Sequence, residues 1–260
     1  MRRVAYQGEP GAFSEEAVRQ CCPGAEPIPC ASFEHLFAAI PSNRADAAMA
    51  PVHNTVAGPV HASLSLLVDA GLWIAAETKV RVRMQLAGIP GATIEGIEVV
   101  RSHPVALRQC GAFFTAHPWI RPEECYDTAA SVREMMESRD PRIGAIASPR
   151  ALELYRAELL KADVQDVTRN YTRFLLLTSE AERTGGANKI AARTHEMYIG
   201  ALQREFEQQG LVVADILPVD ARVIIEATGD EADVLRARAN LSGHFHLLGA
   251  YKEWHDATWT

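Results

Sequence analysis

Apolar and polar positions along the first 180 residues alternate between extended and helical patterns. Strand-like patterns occur at residues 3–7, 46–52, 72–86, 96–101, 143–147 and 174–178. Helical spacing of apolar residues occurs at 13–21, 32–40, 60–70, 106–114, 128–136 and 148–155. Because strands alternate with helices, this part of the chain predicts an α/β fold with parallel sheets covered on both faces.

The remaining residues predict a second, smaller unit. Residues 181–189 are polar and glycine-rich, which is typical of a linker. The segments that follow predict strands at 190–193, 211–216, 223–227 and 245–251, and helices at 196–209 and 231–239. This βαββαβ order is the ferredoxin-like arrangement. We therefore expect one domain at residues 1–180 and another at 190–255.

Composition narrows the class of protein. The chain has 260 residues and a net charge of −7, and it contains no basic run that would neutralise nucleic-acid phosphates. The most apolar stretch, residues 64–76, is interrupted by Asp69 and is shorter than the roughly 20 residues that span a bilayer. The N-terminus leads directly into a strand pattern without an apolar signal region. We expect a cytoplasmic protein that binds neither nucleic acid nor membrane.

Sequence motifs indicate neither a metal site nor a bound cofactor. The five cysteines form no CxxC pair, and the adjacent Cys21 and Cys22 have no neighbouring residues to complete a zinc site. Neither GxGxxG nor GxxxxGK[ST] occurs. We expect reduced thiols, no metal and no cofactor.

Small polar residues follow several predicted strands. Asn54 and Thr55, Ser102, Thr128 and Ser148 each lie between a strand pattern and a helix pattern. Helix N-termini at the carboxyl ends of strands bind anions through free N–H groups. The same residue types are also ordinary helix caps. From these residues alone, a small-anion site and a set of helix caps both remain open.

A series of motifs in the first domain resembles one family. The segments are Val4–Ser14, Asn54–Val60, Ser102–Cys110, Asp127–Ala130, Ala145–Ser148, Val164–Asp166 and Asn170–Leu177. In order and spacing they resemble the motifs of prephenate dehydratases, and the last contains that family's Thr-Arg-Phe signature as Thr172-Arg173-Phe174. The second unit resembles the ACT regulatory module that follows in this family.

The resemblance implies a fold and a reaction. The fold is a bilobed, periplasmic-binding-protein-like catalytic domain, with subdomains at residues 1–78 plus 165–180 and at 79–164, followed by the ACT domain. The reaction converts prephenate to phenylpyruvate with loss of CO₂ and water in L-phenylalanine biosynthesis, without a cofactor. The expected assembly is a homodimer or homotetramer.

The resemblance also implies site residues. Thr172 would donate a proton to the departing hydroxyl, and Phe174 would pack against the ring. The substrate-binding residues would be Gly11, Ala12, Asn54, Thr55, Ser102, Gln109 and Thr128. Arg173 has two alternatives, a catalytic-site contact with a substrate carboxylate or a structural ion pair. Alternation along a strand favours the ion pair, because neighbouring residues face opposite sides.

Two departures from the family pattern affect these expectations. His53 stands where the family often has Glu, so an acidic group is absent there. In the ACT module Gly200-Ala201-Leu202 matches a phenylalanine-binding motif, whereas residues 216–219 lack the Glu and Arg of the second motif. We therefore expect weak, altered or absent inhibition by L-phenylalanine.

Three alternatives to prephenate dehydration stay open. Arogenate dehydration is the same chemistry on a substrate with an amine in place of the keto group. A non-aromatising decarboxylase is disfavoured by the intact Thr172-Arg173-Phe174 signature. The third alternative is a non-catalytic protein that binds a small anion.

Overall fold

The computed structural model describes residues 2–180, 186–243 and 245–252. Its strands are β1 (Arg3–Gln7), β2 (Glu26–Cys30), β3 (Ala47–Asn54), β4 (Gly58–Pro59), β5 (Trp73–Arg81), β6 (Gln85–Gly88), β7 (Val99–Ser102), β8 (Arg121–Glu124), β9 (Ile143–Ala147), β10 (Glu158–Lys161), β11 (Tyr171–Thr178), β12 (Lys189–His195), β13 (Val212–Val219), β14 (Arg222–Thr228) and β15 (His246–Tyr251). Its α-helices are α1 (Phe13–Cys21), α2 (Phe33–Ala38), α3 (His61–Leu67), α4 (Pro104–Arg108), α5 (Gly111–Ala116), α6 (Thr128–Ser138), α7 (Pro149–Tyr155), α8 (Ile199–Gln208) and α9 (Glu231–Asn240).

The strands form three sheets within the described ranges. The first has the order β2-β1-β3-β11-β5, with β4 paired to β3, and the second has the order β10-β6-β9-β7-β8. The third has the order β13-β14-β12-β15 and is antiparallel throughout. The chain is therefore an α/β protein in which β11 returns to the first sheet after the second sheet has been built, and the third sheet follows.

The expectation of parallel sheets is wrong, because both sheets of the first 180 residues are mixed. In the first sheet β1 runs parallel to β2 and β3, whereas β11 runs antiparallel to β3 and β5. In the second sheet β6 pairs antiparallel with β9 and β10. The strands β5, β6, β10 and β11 carry the chain from one sheet to the other and back. No helix lies between β5 and β6 or between β10 and β11, whereas parallel pairing of successive strands requires a crossover connection, usually a helix.

Besides the two-residue β4, three short strands were missed by the periodicity. They are β2, β8 and β10, which lie at the edges of their sheets. Two of them contain proline, as in Glu26-Pro27-Ile28-Pro29 and Arg121-Pro122. Proline lacks the N–H that a central strand must donate, and an edge strand tolerates it. Such polar, proline-containing segments carry no alternating apolar pattern.

The single helix expected at 106–114 is divided in two. Helix α4 ends at Arg108, and helix α5 begins at Gly111. The Asp166 carboxylate accepts hydrogen bonds from the N–H groups of Gly111 and Ala112, both at 2.9 Å. This distant side chain caps a new helix N-terminus, which explains why the local pattern did not reveal the break.

The predicted boundaries differ slightly from the observed elements. The strand β5 remains paired in the first sheet up to Arg81, opposite Tyr171 of β11, three residues beyond the expected boundary at 78. Residues 181–185 of the expected linker and residues 253–255 of the expected second domain lie outside the described residues. The order strand, helix, strand, strand, helix, strand is observed over residues 189–252.

The first and third sheets share one apolar core. Leu36 and Leu177 belong to the same buried cluster as Leu217 and Leu248 of the third sheet. The backbones of β5 and β15 also approach closely, since a Cβ atom at Gly249 would overlap with the carbonyl oxygen of Ile74. The third sheet therefore packs directly against the first.

Candidate active site

A cavity of about 400 Å³ lies between the first and second sheets. Strand ends and helix starts from both sheets surround it. Its polar lining residues are Gln7, Ser14, Asn54, His103, Gln109, Tyr126, Asp127, Thr128 and Thr172. Its apolar walls include Phe13, Pro51, Val82, Met84, Val105 and Phe174. Among the described residues that line it, none is Lys or Arg.

Asn54, at the end of β3, holds Thr172 in place. Its Nδ2 donates to Thr172 Oγ1 at 3.0 Å and to Asn170 Oδ1 at 2.8 Å. Its Oδ1 accepts from the N–H groups of Val56 and Ala57, which fixes the orientation of the amide. Because the Thr172 oxygen accepts this bond, its own hydroxyl proton stays available as a donor.

Gln109 extends this network from the second sheet. Its Oε1 accepts a hydrogen bond of 2.8 Å from Asn170 Nδ2, and Asn170 is itself bound by Asn54. The four amide and hydroxyl side chains Gln109, Asn170, Asn54 and Thr172 thus form one chain across the cavity. All are uncharged, so the network orients a hydroxyl without adding net charge.

The start of α1 offers N–H donors to the cavity. Its N-cap residue, Ala12, provides no side-chain acceptor, and Ala12, Phe13 and Ser14 all line the cavity. First-turn N–H groups without a cap can bind a carboxylate. The preceding Gly11 has φ +94°, and a Cβ there would approach Ala151 Cα to 2.8 Å. Its role is therefore to let the turn pack against α7.

The starts of α4 and α6 are already capped by side chains. Asp127 Oδ1 accepts from the N–H groups of Ala129 and Ala130 at 2.7 and 3.0 Å, and His103 Nδ1 accepts from Val105 N at 3.3 Å. Helix α6 begins at Thr128, as expected, and its cap is the preceding residue, Asp127. These two helix ends are less open to an external anion than the start of α1.

Burial shifts the pKa values of Asp127 and His103 in opposite directions, and in each case it favours the neutral form. Burial raises the pKa of the Asp127 carboxyl, against the opposing effect of the Ala129 and Ala130 N–H donors. Burial lowers the pKa of the His103 imidazole, although nearby Asp127 opposes the shift. His103 is therefore neutral near pH 7, and Asp127 is the titratable carboxyl that faces the cavity.

Some expected site residues lie elsewhere. Ser102 is fully buried, and its Oγ donates to the Ile146 carbonyl at 2.6 Å, so it joins β7 to β9. Thr55 Oγ1 accepts from Tyr171 N at 2.9 Å and fastens the loop after β3 to β11. Neither Ser102 nor Thr55 lines the cavity.

The positions singled out in the second unit lie in α8. Of Gly200, Ala201 and Leu202, the last is completely buried in the core under the third sheet. His53, where the family often has Glu, lies opposite Arg173 in the β3–β11 register and outside the cavity lining. Neither position brings a charged group to the cavity.

Arg173 lies on the other side of β11 from the cavity, in a buried group of charges. Its Nε and Nη2 donate to Glu77 Oε2 at 2.8 and 2.6 Å, and Nη2 also donates to Glu226 Oε1 at 2.7 Å. Lys189 Nζ lies 3.2 Å from Glu77 and 3.4 Å from Glu226. Of the two alternatives for Arg173, the ion pair is the one observed.

The sequence did not single out several cavity residues. They are Gln7, Ser14, His103, Tyr126 and Asp127. Gln7, His103 and Asp127 stand at strand ends or helix caps within the motifs quoted above, so strand-end position was a usable signal. Tyr126, which donates to Glu9 Oε1 at 2.7 Å, has no such signal.

Neither a metal-binding cluster nor a membrane-spanning helix occurs in the described part of the chain. In the described part of the chain, no three His, Cys, Asp or Glu side chains come together in a metal-binding group. No helix in residues 2–180, 186–243 and 245–252 combines the length and apolarity needed to cross a bilayer.

These features define an α/β protein with mixed sheets and a cavity whose polar network carries no cationic side chain. The family model described as "Prephenate dehydratase" matches residues 4–182. The chain belongs to the prephenate dehydratase family.

Individual relatives agree with this assignment. Arogenate dehydratase/prephenate dehydratase 1 of Arabidopsis thaliana is 38% identical over 178 residues, which cover 68% of this chain and 45% of that protein. A bifunctional N-acyl-homoserine lactone acylase/prephenate dehydratase of Komagataeibacter europaeus is 38% identical over 67% of this chain and 62% of its own length. This chain thus spans less than two thirds of both relatives.

A solved structure is similar over nearly the whole chain. The prephenate dehydratase of Arthrobacter aurescens in complex with L-Phe has a TM-score of 0.81 and 27% identity, covering 96% of this chain and 89% of that one. The similarity therefore includes the third sheet as well as the first two.

Proposed function

We propose that this protein is a prephenate dehydratase, a carbon–oxygen lyase that converts prephenate to phenylpyruvate. The observation that carries the proposal is the Thr172 hydroxyl, which faces the cavity and is held by Asn54 at 3.0 Å with its proton free to donate. Family membership supplies the reaction class. The product ring is aromatic, so much of the driving force lies in the substrate itself.

Proton delivery is the first task of the site, because hydroxide is a poor leaving group. In our proposal the Thr172 hydroxyl meets the departing ring hydroxyl and acts as a positioned donor or relay, so that the ring hydroxyl leaves as water and a proton from solvent restores Thr172. Phe174, two residues along the same face of β11, lies against the ring and excludes water. Asn54 keeps the Thr172 oxygen in place while the proton moves.

Binding of the two substrate carboxylates is the second task. The uncapped start of α1 at Ala12 supplies N–H donors, and Gln109 and Thr128 supply neutral polar groups. Asn54 acts through Thr172, because its Nδ2 hydrogens are already donated to Asn170 and Thr172. A strong cation beside the departing carboxylate would stabilise the ground state and slow the loss of CO₂. The absence of Lys and Arg among the described lining residues fits this requirement.

The finer architecture belongs to the same proposal. We infer that the first two sheets are the lobes of a bilobed, periplasmic-binding-protein-like domain with the substrate between them. We infer that residues 190–255 are an ACT-like module, joined through the linker at 181–189. The sheet order β13-β14-β12-β15 supports a ferredoxin-like module. A homodimer or homotetramer remains part of the proposal.

Arogenate is the alternative substrate. It carries an ammonium group where prephenate has a keto group, and Asp127 is the carboxyl available to meet that group in the cavity. The names of plant relatives include both activities. Both substrates therefore belong in any assay.

A second activity is raised by the Komagataeibacter relative, whose name joins an N-acyl-homoserine lactone acylase to a prephenate dehydratase. The apolar wall formed by Val82, Met84 and Val105 could accommodate an acyl chain. A non-catalytic protein that binds a small anion is the remaining alternative.

Regulation by L-phenylalanine is proposed to be weak or absent. Residues 216–219, where the family motif would supply Glu and Arg, form the end of β13 instead. Leu217 and Val219 there are buried against the first sheet. A phenylalanine ammonium group would find no acidic partner in this segment.

A single set of assays tests these functions. The purified protein is incubated in turn with prephenate, arogenate and an N-acyl-homoserine lactone, and phenylpyruvate, phenylalanine and free fatty acid are measured. We expect phenylpyruvate from prephenate. Binding of prephenate without turnover would favour the non-catalytic alternative and contradict the proposal.

A further inference from the structure

The face of β11 opposite the cavity is built from residues of two separate sheets. Glu77 comes from β5 of the first sheet, whereas Lys189, Glu226 and Tyr251 come from β12, β14 and β15 of the third. Arg173 lies between them. We call these five residues the junction network.

The junction network is closed to water and balanced in charge. The side chains of Glu77 and Glu226 are fully buried, and those of Arg173 and Lys189 are 10% and 6% exposed. Tyr251 OH donates to Glu226 Oε1 at 2.9 Å. Two carboxylates face two cations, and removing one member leaves a buried charge without its partner. Arg173 is therefore held from the third sheet through Glu226 as well as from the first sheet through Glu77.

The backbone beside Arg173 is irregular. In the β3–β11 ladder Arg173 pairs with His53 and Phe174 pairs with Pro51, so Val52 is left over between them. A register shift of this kind bends the strand that carries the extra residue, here β3, and increases the local twist of the strand pair. At this irregularity the hydrogen bonds between β3 and β11 fix the position of β11 less strongly. The hydrogen bonds of the Arg173 side chain to Glu77 and Glu226 add to them.

We propose that Arg173 is a positioning residue for Thr172, and that the third sheet supplies half of its anchor through Glu226 and Tyr251. The third sheet is then part of the machinery that sets the cavity, whether or not it binds an effector. This inference rests on the proposed dehydratase function for its kinetic test.

The test variant is Glu226→Gln, which keeps the size of the side chain and removes its charge. We expect kcat to fall by about tenfold or more, as misplacement of a reacting group does, with KM changed by less than about twofold. Rates are measured well below the unfolding midpoint of each variant, where a purely stabilising role would leave kcat unchanged.

The matched control is Asp69→Asn. Asp69 Oδ2 accepts a 2.7 Å hydrogen bond from Arg222 Nη2, so it also joins the first and third sheets, but at an exposed position away from β11. We expect the control to keep the kcat of the unaltered protein. Equal loss of kcat in both variants, or full kcat in Glu226→Gln, would overturn the proposal.

Two further measurements keep the outcome decisive. If Glu226→Gln does not fold, Tyr251→Phe, which removes only the hydroxyl that donates to Glu226, should lower kcat by about fivefold, the equivalent of one hydrogen bond. If the unaltered protein turns over neither prephenate nor arogenate, the proposed function fails. Amide hydrogen exchange of residues 171–175 then decides the inference separately: faster exchange in Glu226→Gln than in Asp69→Asn supports it, and equal exchange refutes it.

Discussion

The two faces of β11 carry different kinds of polar groups, neutral ones on the cavity face and charged ones on the opposite face. On the cavity face Thr172 lies in a network of neutral amides and hydroxyls, with no cation among the described lining residues. On the opposite face Arg173 lies among buried, balanced charges. A reacting hydroxyl has to keep its proton free, whereas buried charges must all be paired. Period-two alternation lets one strand satisfy both requirements.

The largest expected effect is the loss of stability that follows removal of the Arg173 charge from the junction network. Arg173→Met leaves Glu77 and Glu226 with Lys189 as their remaining cation in the network. Breaking a buried pair in this way costs about 3–5 kcal/mol, to be measured as the free energy of unfolding in urea. A loss below about 1 kcal/mol would mean that the ion pairs of Arg173 contribute no more than surface ion pairs do. The two faces of β11 would then not differ in the way described.

Removal of the hydroxyl on the cavity face should affect turnover instead of stability. Thr172→Ala is expected to lower kcat by 10²-fold or more, within the range of general acid catalysis. Asn54 Nδ2 still has Asn170 Oδ1 and the Tyr171 carbonyl as acceptors, so the fold should persist. Thr172→Ser keeps a hydroxyl and serves as the control, for which we expect partial recovery of kcat.

The third prediction concerns charge within the cavity. Asp127→Asn retains an oxygen that can cap α6 and removes a carboxylate that would attract an ammonium group. The ratio of kcat/KM for arogenate to that for prephenate should fall by about tenfold, the equivalent of roughly 1.4 kcal/mol. An unchanged ratio would exclude Asp127 from substrate choice.

The pH dependence of that ratio follows from the direction of the Asp127 pKa. Burial raises the pKa of Asp127 above its value in the unfolded chain. Protonated Asp127 therefore stabilises the folded state at low pH, and this contribution is lost as the pH rises through the folded-state pKa. The arogenate preference of the unaltered protein should therefore decline as the pH falls toward this raised pKa, while Asp127→Asn shows no such decline. Because the ionised form is the less stable one, Asp127→Asn should not lower the free energy of unfolding at pH 7.

The smallest expected effect is that of L-phenylalanine. Calorimetric titration should give no tight binding, and prephenate turnover should be unchanged by the amino acid. Micromolar affinity would show that β13 supports a ligand site despite lacking the acidic and basic residues of the family motif.

Local patterns were sufficient for the strand that brings Thr172 and Phe174 to the cavity. Alternation within Thr172-Arg173-Phe174 predicted opposite faces, and the structure has Thr172 and Phe174 at the cavity. The rest depended on distant contacts. The break between α4 and α5 follows from Asp166, and the burial of Ser102 follows from Ile146. The junction network joins Glu77, Arg173 and Glu226, which no local pattern relates.

The central claim is that the Thr172 hydroxyl delivers the proton in a cavity that converts prephenate. Its most direct test is the rate of phenylpyruvate formation from prephenate, compared between the unaltered protein and Thr172→Ala at equal concentrations of folded protein. The account predicts steady turnover by the former and a loss of 10²-fold or more in the latter. Equal rates in the two proteins would contradict it.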